Sequence, residues 1–183
     1  MFIDINELER HPIDFDQTFP SQAIELGPDL VQRSPVIAKG RAQLLQERHS
    51  KHESLLDIRL NGQLATSLEV LCARCLEAVL VEVARDFDLL YRPQGSDAGQ
   101  QELSVTAVEA EISYYTGGGV LLEDVLREQI LLAVPLKLVC REDCKGLCPV
   151  CGTNLNQGMC DCTRPAGDPR WAALKDLRAK LER

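Results

Sequence analysis

Eight cysteines constrain this chain more tightly than any other feature. They stand at 72, 75, 140, 144, 148, 151, 160 and 162, so each has another within four positions. The chain starts Met-Phe-Ile-Asp-Ile-Asn-Glu-Leu-Glu-Arg, acidic where a secretory leader would be basic. Its longest strongly apolar stretch, residues 130–136, is too short to cross a bilayer. These two features predict a cytoplasmic protein with no membrane partner. In that reducing compartment disulfides rarely persist, and closely paired thiols point to metal or redox chemistry.

Cys148-Pro149-Val150-Cys151-Gly152 is the most informative piece. Two residues between thiolates let both sulfurs reach one ion while a turn directs backbone N–H groups at them. The glycine that follows frees the chain to bend. Such a knuckle holds zinc, and Cys160-Asp161-Cys162 supplies the two further thiolates of a tetrahedral site. Cys72, Cys75, Cys140 and Cys144 remain, enough for a second four-cysteine site. The expected cofactor is therefore Zn2+, one ion or two, with two favoured. A single ion shared by Cys140, Cys144, Cys148 and Cys151 is the alternative, leaving the Cys72 pair idle or redox-active. A thioredoxin-like role for Cys72-Ala73-Arg74-Cys75 fits poorly, because that motif opens a helix and here it lies between strands. An iron–sulfur cluster would also accept four thiolates, but Cys-Pro-x-Cys-Gly beside another close pair favours zinc.

A four-thiolate zinc centre carries a formal charge of about −2, which Arg74, Arg141 and Lys145 are placed to offset. A structural zinc can supply on the order of 10 kcal/mol of apparent folding free energy. Residues 140–165 are almost bare of large apolar side chains and need that contribution. If Cys72 and Cys75 share an ion with Cys140 and Cys144, chelation should loosen more than the tail.

The rest of the chain reads as an ordinary core. Hydrophobic residues make up 45% and aromatics only 4%, so Leu, Val, Ile and Ala must fill the interior. So few rings also weaken any reading based on stacking unpaired bases. The net charge of −8 is uneven. Residues 135–183 hold nine Lys/Arg against six Asp/Glu, and residues 1–134 eleven against twenty-two. An acidic body repels phosphate backbones and suits basic protein partners.

Residues 36–45 predict a strand ending in a polar turn at His49-Ser50-Lys51-His52. Phe15, Phe19 and Ile24 read as part of a Pro-containing connection. Residues 55–71 alternate at Leu56, Ile58 and Leu60, with Asn61-Gly62 as a hairpin turn or a bulge. Val79, Val81, Val83, Phe87 and Leu89 resume the pattern. Residues 93–99 form a loop, Leu103, Val105 and Ala107 alternate weakly, and Ile112-Ser113-Tyr114-Tyr115 is an edge strand. Gly117-Gly118-Gly119 breaks the chain.

Leu122, Val125, Leu126, Gln129, Ile130 and Ala133 then follow a helical period that Pro135 stops. A last helix opens at Asp168-Pro169, with Trp171, Leu174, Leu177 and Leu181 as its buried stripe. The predicted class is α+β, an antiparallel β-meander of barrel or sandwich kind with one packed helix. Residues 1–135 form the β-rich main domain with its helix at about 121–133. Residues 136–183 form the zinc-stabilised cysteine-rich segment plus the C-terminal helix.

No catalytic constellation stands out. His11, His49 and His52 lie in polar surroundings, and the glycine triplet has no P-loop lysine beside it. Glu123, Asp124 and Glu128 suit a helix N-terminus and surface. The chain is expected not to be an enzyme and to take no small-molecule substrate.

Several stretches together resemble the YceD family, the large-ribosomal-RNA accumulation proteins. They are Cys72-Ala73-Arg74-Cys75-Leu76-Glu77, Leu126-Arg127-Glu128-Gln129-Ile130-Leu131-Leu132-Ala133-Val134-Pro135 and Cys144-Lys145-Gly146-Leu147-Cys148-Pro149-Val150-Cys151-Gly152. Asn154-Leu155-Asn156 and Asp168-Pro169-Arg170-Trp171 continue the match, which spans about residues 35–180. The resemblance implies a non-enzymatic bacterial factor, needed for large-subunit ribosomal RNA to accumulate and acting in ribosome biogenesis. Family members without the Cys-Pro-x-Cys-Gly segment keep the Cys-x-Arg-Cys pair with His or Cys near positions 140 and 144. That pattern implies two sites, the second optional.

The expected partners are ribosomal protein, ribosomal RNA or a pre-ribosomal particle, met through Arg74, Arg141, Lys145, Arg164 and Arg170. Charge compensation explains the same five residues equally well. A thiol-based redox or zinc-sensing regulator is the alternative function, and a duplex-DNA-binding regulator a weaker one that the acidic body disfavours.

Overall fold

Apolar residues at alternate positions, interrupted only by Gly62 and Thr66, run through the longest described strand, Ser54–Leu71. The computed structural model describes residues 1–48, 54–96 and 112–163. Its elements in chain order are β1 (Phe2–Asp4), α1 (Ile5–Leu8), β2 (Ile13–Phe19), β3 (Leu30–Gln32), β4 (Val36–Arg48) and β5 (Ser54–Leu71). These are followed by β6 (Ala78–Pro93), β7 (Ile112–Tyr115), β8 (Gly119–Leu121) and α2 (Leu122–Ala133). The chain divides into two compact units. One joins Met1–Leu71 with Ala78–Leu138, and the other joins Cys72–Glu77 with Val139–Arg183.

In the first unit a six-stranded sheet runs in the order β2-β4-β5-β6-β7, with β3 pairing the far end of β5. The described strands form an open path and do not close into a barrel. A separate two-stranded sheet pairs β1 with β8. The even-numbered positions of β4 and β5 turn inward. Val36, Ala38 and Ala42 meet Ile58, Leu60, Leu64 and Leu68, all buried. Leu122, Val125, Leu126 and Ile130 of α2 belong to the same core, the stripe expected of a 3.6-residue period. The helix ends at Ala133 because Val134, the residue before Pro135, is extended. The expected α+β class, the strand from residue 36 and the packed helix are thus present.

Three local expectations are corrected. Phe15 and Phe19, read as part of a connection, lie in strand β2, which pairs with β4 from Ile13↔Ala42 to Phe19↔Val36. Asn61-Gly62 is neither turn nor bulge, since β5 runs straight through it in register with both neighbours. The glycine is there to make room. Gly40 and Gly62 face each other across the β4–β5 ladder, flanked by Phe15 on β2 and Phe87 on β6. A Cβ on Gly40 would come within 2.6 Å of the Phe15 ring, and one on Gly62 within 3.0 Å of the Phe87 ring. The cross-strand backbone is closer still, the Asn61 carbonyl to a Cβ on Gly40 and the Lys39 carbonyl, at 2.6 Å, to one on Gly62, so backbone and rings together leave no room for a side chain. Finally, β7 is an edge strand as expected, but it lies parallel to β6, which departs from a pure meander.

Among the described residues, a charged pair sits inside this unit. Asp57 on β5 is fully buried, and Arg92 on β6 donates to its carboxylate from Nη2 at 3.0 Å and from Nε at 3.3 Å. On β7, the Tyr115 hydroxyl donates to the Leu56 carbonyl at 2.9 Å. The predicted turn at 49–52, the weak strand at 103–107, the end of the loop at 97–99 and the C-terminal helix fall outside the described residues.

Candidate metal centres

The second unit takes residues 72–77 from the connection between β5 and β6 and adds the chain from 139 onward. Its described residues contain no helix or strand, only an isolated bridge between Leu147 and Asn154. What they contain are two Cys-x-x-Cys loops built on one plan. In the first, the Cys72 N–H donates to the Glu77 carbonyl at 2.8 Å and the Leu76 N–H to the Cys72 carbonyl at 3.0 Å. In the second, the Cys148 N–H donates to Thr153 at 2.8 Å and the Gly152 N–H to Cys148 at 2.9 Å. The Arg74 N–H points at the Cys72 sulfur and the Val150 N–H at the Cys148 sulfur, both at 3.5 Å. The residue after each second cysteine is left-handed, Leu76 at φ 59° and Gly152 at φ 73°. Glycine takes that conformation freely and leucine does not, so the first loop carries a local cost that the second avoids.

Each knuckle is completed by a second cysteine pair. Cys72, Cys75, Cys140 and Cys144 form one group and Cys148, Cys151, Cys160 and Cys162 the other, with all sulfurs of a group within 4.8 Å of one another. All eight are free thiols. The grouping is the favoured one of the sequence analysis, and Cys140 and Cys144 do not join Cys148 and Cys151. In the first group the Cys72 and Cys144 sulfurs are 3.9 Å apart and those of Cys75 and Cys140 3.6 Å. Four sulfurs about 2.3 Å from a central ion at tetrahedral angles would be about 3.8 Å apart. The separations fit such an ion and are far too long for a disulfide.

The surrounding donors favour thiolates. N–H groups of Cys75, Arg74 and Cys140 aimed at the Cys72 sulfur bring its pKa down to about 6. The Thr153 hydroxyl and N–H do the same for Cys151, also to about 6. The Glu77 N–H draws Cys75 down, but burial and the neighbouring Cys72 and Cys140 sulfurs prevail and push it up to about 12. Bonding to Cys151, together with burial, raises Cys162 to about 12. Each group thus has two sulfurs shifted toward the thiolate, Cys72 and Cys144 in the first and Cys148 and Cys151 in the second, and two shifted toward the thiol. Four thiolates at this spacing coexist only with a cation among them. The centres differ in exposure. Cys72, Cys75 and Cys144 of the first are buried, whereas in the second only Cys148 is buried and Cys151 is exposed.

An asparagine-rich segment surrounds the first group, and the sequence analysis assigned it no chemistry. Asn156 donates from Nδ2 to the Cys144 sulfur at 3.4 Å and accepts the Lys145 N–H at 2.8 Å. Glu77 accepts from Asn154 at 2.9 Å and from Gln157 at 2.8 Å on one carboxylate oxygen. Asn154-Leu155-Asn156 was visible as a motif, but its partners come from residue 77 and residue 144. No local pattern announces that meeting.

Of the expected partner contacts, Arg74 is engaged at home, its Nη1 donating to the Glu142 carbonyl at 3.1 Å and the Cys144 carbonyl at 2.9 Å. Arg141 pairs with Asp143 at 3.3 Å, and Lys145 is exposed. Arg164 and Arg170 lie outside the described residues. His11 is exposed, within 3.2 Å of the Pro12 carbonyl and in neither cysteine group. No helix among the described residues is long and apolar enough to cross a membrane.

Fold and site together define an α+β protein whose second unit gathers eight cysteines into two centres, each able to hold a metal ion. The chain belongs to the YceD family: residues 60–178 match the family described as "Large ribosomal RNA subunit accumulation protein YceD". Among its relatives is an uncharacterised protein of Mycobacterium leprae, 29% identical over 96% of this chain and 76% of that one. An uncharacterised protein of Mycobacterium tuberculosis is 30% identical over 97% of this chain and 81% of its own length. The Arabidopsis thaliana protein named "Large ribosomal RNA subunit accumulation protein YCED homolog 1, chloroplastic" is 25% identical over 68% of this chain, matching 46% of its own length. No solved structure matches.

Proposed function

We propose that each four-cysteine centre holds one structural Zn2+ ion and that the protein supports the accumulation of large-subunit ribosomal RNA as a cytoplasmic, non-enzymatic factor in ribosome biogenesis. Membership of a family described by that role carries the second half of the reading. The first half is supported by the donor set, four sulfurs per centre with N–H groups directed at them, which suits zinc better than harder cations. Bound zinc would cross-link chain segments that have little apolar core of their own.

The protein acts by docking on ribosomal protein or on RNA in a pre-ribosomal particle. Basic proteins complement the acidic first 134 residues, with eleven Lys/Arg against twenty-two Asp/Glu. Arg141 and Lys145, exposed beside the first centre, are the described side chains best placed to touch an anionic partner. Arg74 serves chiefly to hold residues 142–144.

A pull-down of the tagged, full-length protein from growing cells tests the role. Precursor large-subunit particles should co-purify, and Cys148→Ser should lose them. Normal levels of large-subunit RNA in cells lacking the protein would overturn the reading. The exposed, readily ionised Cys151 favours one second reading, a thiol-based redox or zinc sensor. Elemental analysis with thiol titration separates the two. Two tightly held zinc ions and no titrating thiol fit the structural role, and one rapidly reacting pair of thiols fits the sensor.

A further inference from the structure

The two centres share one hairpin. Cys144 belongs to the first group and Cys148 to the second. Between them Leu147 bridges to Asn154, the Leu155 N–H donates to the Gly146 carbonyl at 2.9 Å, and the Cys148 N–H donates to Thr153 at 2.8 Å. Cys148 and Cys151 therefore sit at the tip of a hairpin whose base carries Cys144. The returning arm does not go straight to Cys160. It first passes the other centre, where Asn156 donates to the Cys144 sulfur and Asn154 and Gln157 grip Glu77. Glu77 in turn closes the first knuckle by accepting the Cys72 N–H on its carbonyl.

This arm lies between Cys151 and Cys160, two ligands of the second centre. Closing that centre fixes both ends of an eight-residue loop and removes most of the conformational freedom that would otherwise oppose placing three amide side chains. Groups that hydrogen-bond metal ligands orient them, and losing one typically costs 10- to 100-fold in affinity. Here the groups that orient the first centre are delivered by the loop of the second.

We infer that Asn156 is a positioning residue for the first centre, and that the two centres bind metal cooperatively because filling the second braces the arm that carries Asn156. Coupling of this kind is reciprocal, so the first ion also tightens the second. The inference rests on the reading that both centres take a metal ion, and its test separates the two.

Full-length apoprotein, reduced and freed of metal, is titrated with Zn2+ against a chromophoric chelator, and Cd2+ resonances resolve the two centres. Wild type should take up two ions with positive cooperativity. Cys151→Ser with Cys162→Ser opens the second centre while leaving all four sulfurs of the first, and should bind one ion about 10- to 100-fold more weakly than the wild-type first centre. Asn156→Ala keeps all eight cysteines. It should weaken the first centre by a similar factor, leave the second occupied, and abolish the additional effect of opening the second centre. Should the double serine variant lose both ions with the sheet's circular dichroism intact, the coupling is at its strongest and Asn156→Ala alone gives its path. Wild-type affinity at the first centre in either variant overturns the inference. No uptake by the wild type would overturn the zinc reading beneath it.

Discussion

Ile58 and Cys72 are both fully buried and only fourteen residues apart, yet they belong to units held together by different means. Around Ile58 the interior is a continuous apolar layer, in which Leu60, Leu64, Leu68, Leu126 and Ile130 exclude water from a sheet that satisfies its own backbone. Around Cys72 the neighbours are the Cys144 sulfur and the N–H groups of Arg74 and Cys140, and its unit has no strand or helix among its described residues. Apolar burial is non-directional and adds up over many contacts, whereas thiolate coordination is directional and concentrated at one point. The first unit should therefore weaken gradually under substitution, and the second abruptly when its ions are lost.

Metal removal should break the comparison open most widely. A strong chelator, or a pH low enough to protonate the thiolates, should unfold the second unit with a loss on the order of 10 kcal/mol while the sheet persists. The sign follows from competition of protons with metal for sulfur, so loading falls as pH falls. Hydrogen exchange would report it as lost protection at residues 72–77 and 140–158, with β4 and β5 unchanged. Equal loss of protection in β5 would mean that the two units do not differ in this way.

Asp57→Ala addresses the other unit. Arg92, with 8% of its side chain exposed, would lose the carboxylate that its Nη2 and Nε bond inside the unit. Stability in urea should fall by about 3–5 kcal/mol with metal content unchanged. Smaller is the effect of matching the two knuckles. Leu76→Gly relieves the left-handed φ of 59° and should raise resistance to chelation by about 1 kcal/mol, whereas Gly152→Ala should lower it by a similar amount. If Leu76→Gly made no difference, the likeness of the two loops would carry no energetic meaning.

The smallest effect lies on the sheet surface. Arg59 bonds Asp88 and holds its carboxyl below the ordinary carboxylate range. A depressed folded pKa stabilises above the unfolded value and is lost as pH falls through the folded one. Solvent screens this exposed pair, so Asp88→Asn should flatten the acid side of the stability profile by no more than about 0.5 kcal/mol. Chemical denaturation between pH 5 and about pH 2 would show it, within and just below the range where a free aspartate titrates.

Much of the architecture was legible because its causes are local. A 3.6-residue period ending before Pro135 announced α2, and alternation announced β4, β5 and β6. Spacing alone paired each cysteine with a near neighbour. Gly62 was misread because a glycine after asparagine also marks a turn, and what requires it is the Lys39 carbonyl across on β4, with the Phe87 ring on β6 beside it. Strand β7 was found, but its direction depends on the course of the chain before it and not on the composition of Ile112–Tyr115.

The number and kind of donor atoms are properties of the sequence, because cysteine spacing limits which sulfurs one turn can bring together. So is the acidic bias of the first 134 residues, since charge is set by composition. Which pairs join, and that Glu77, Asn154, Asn156 and Gln157 serve the first centre, only the tertiary structure decided. Those contacts span 12 to 80 positions, and a hydrogen bond at that separation exists only after the chain has folded to place both ends.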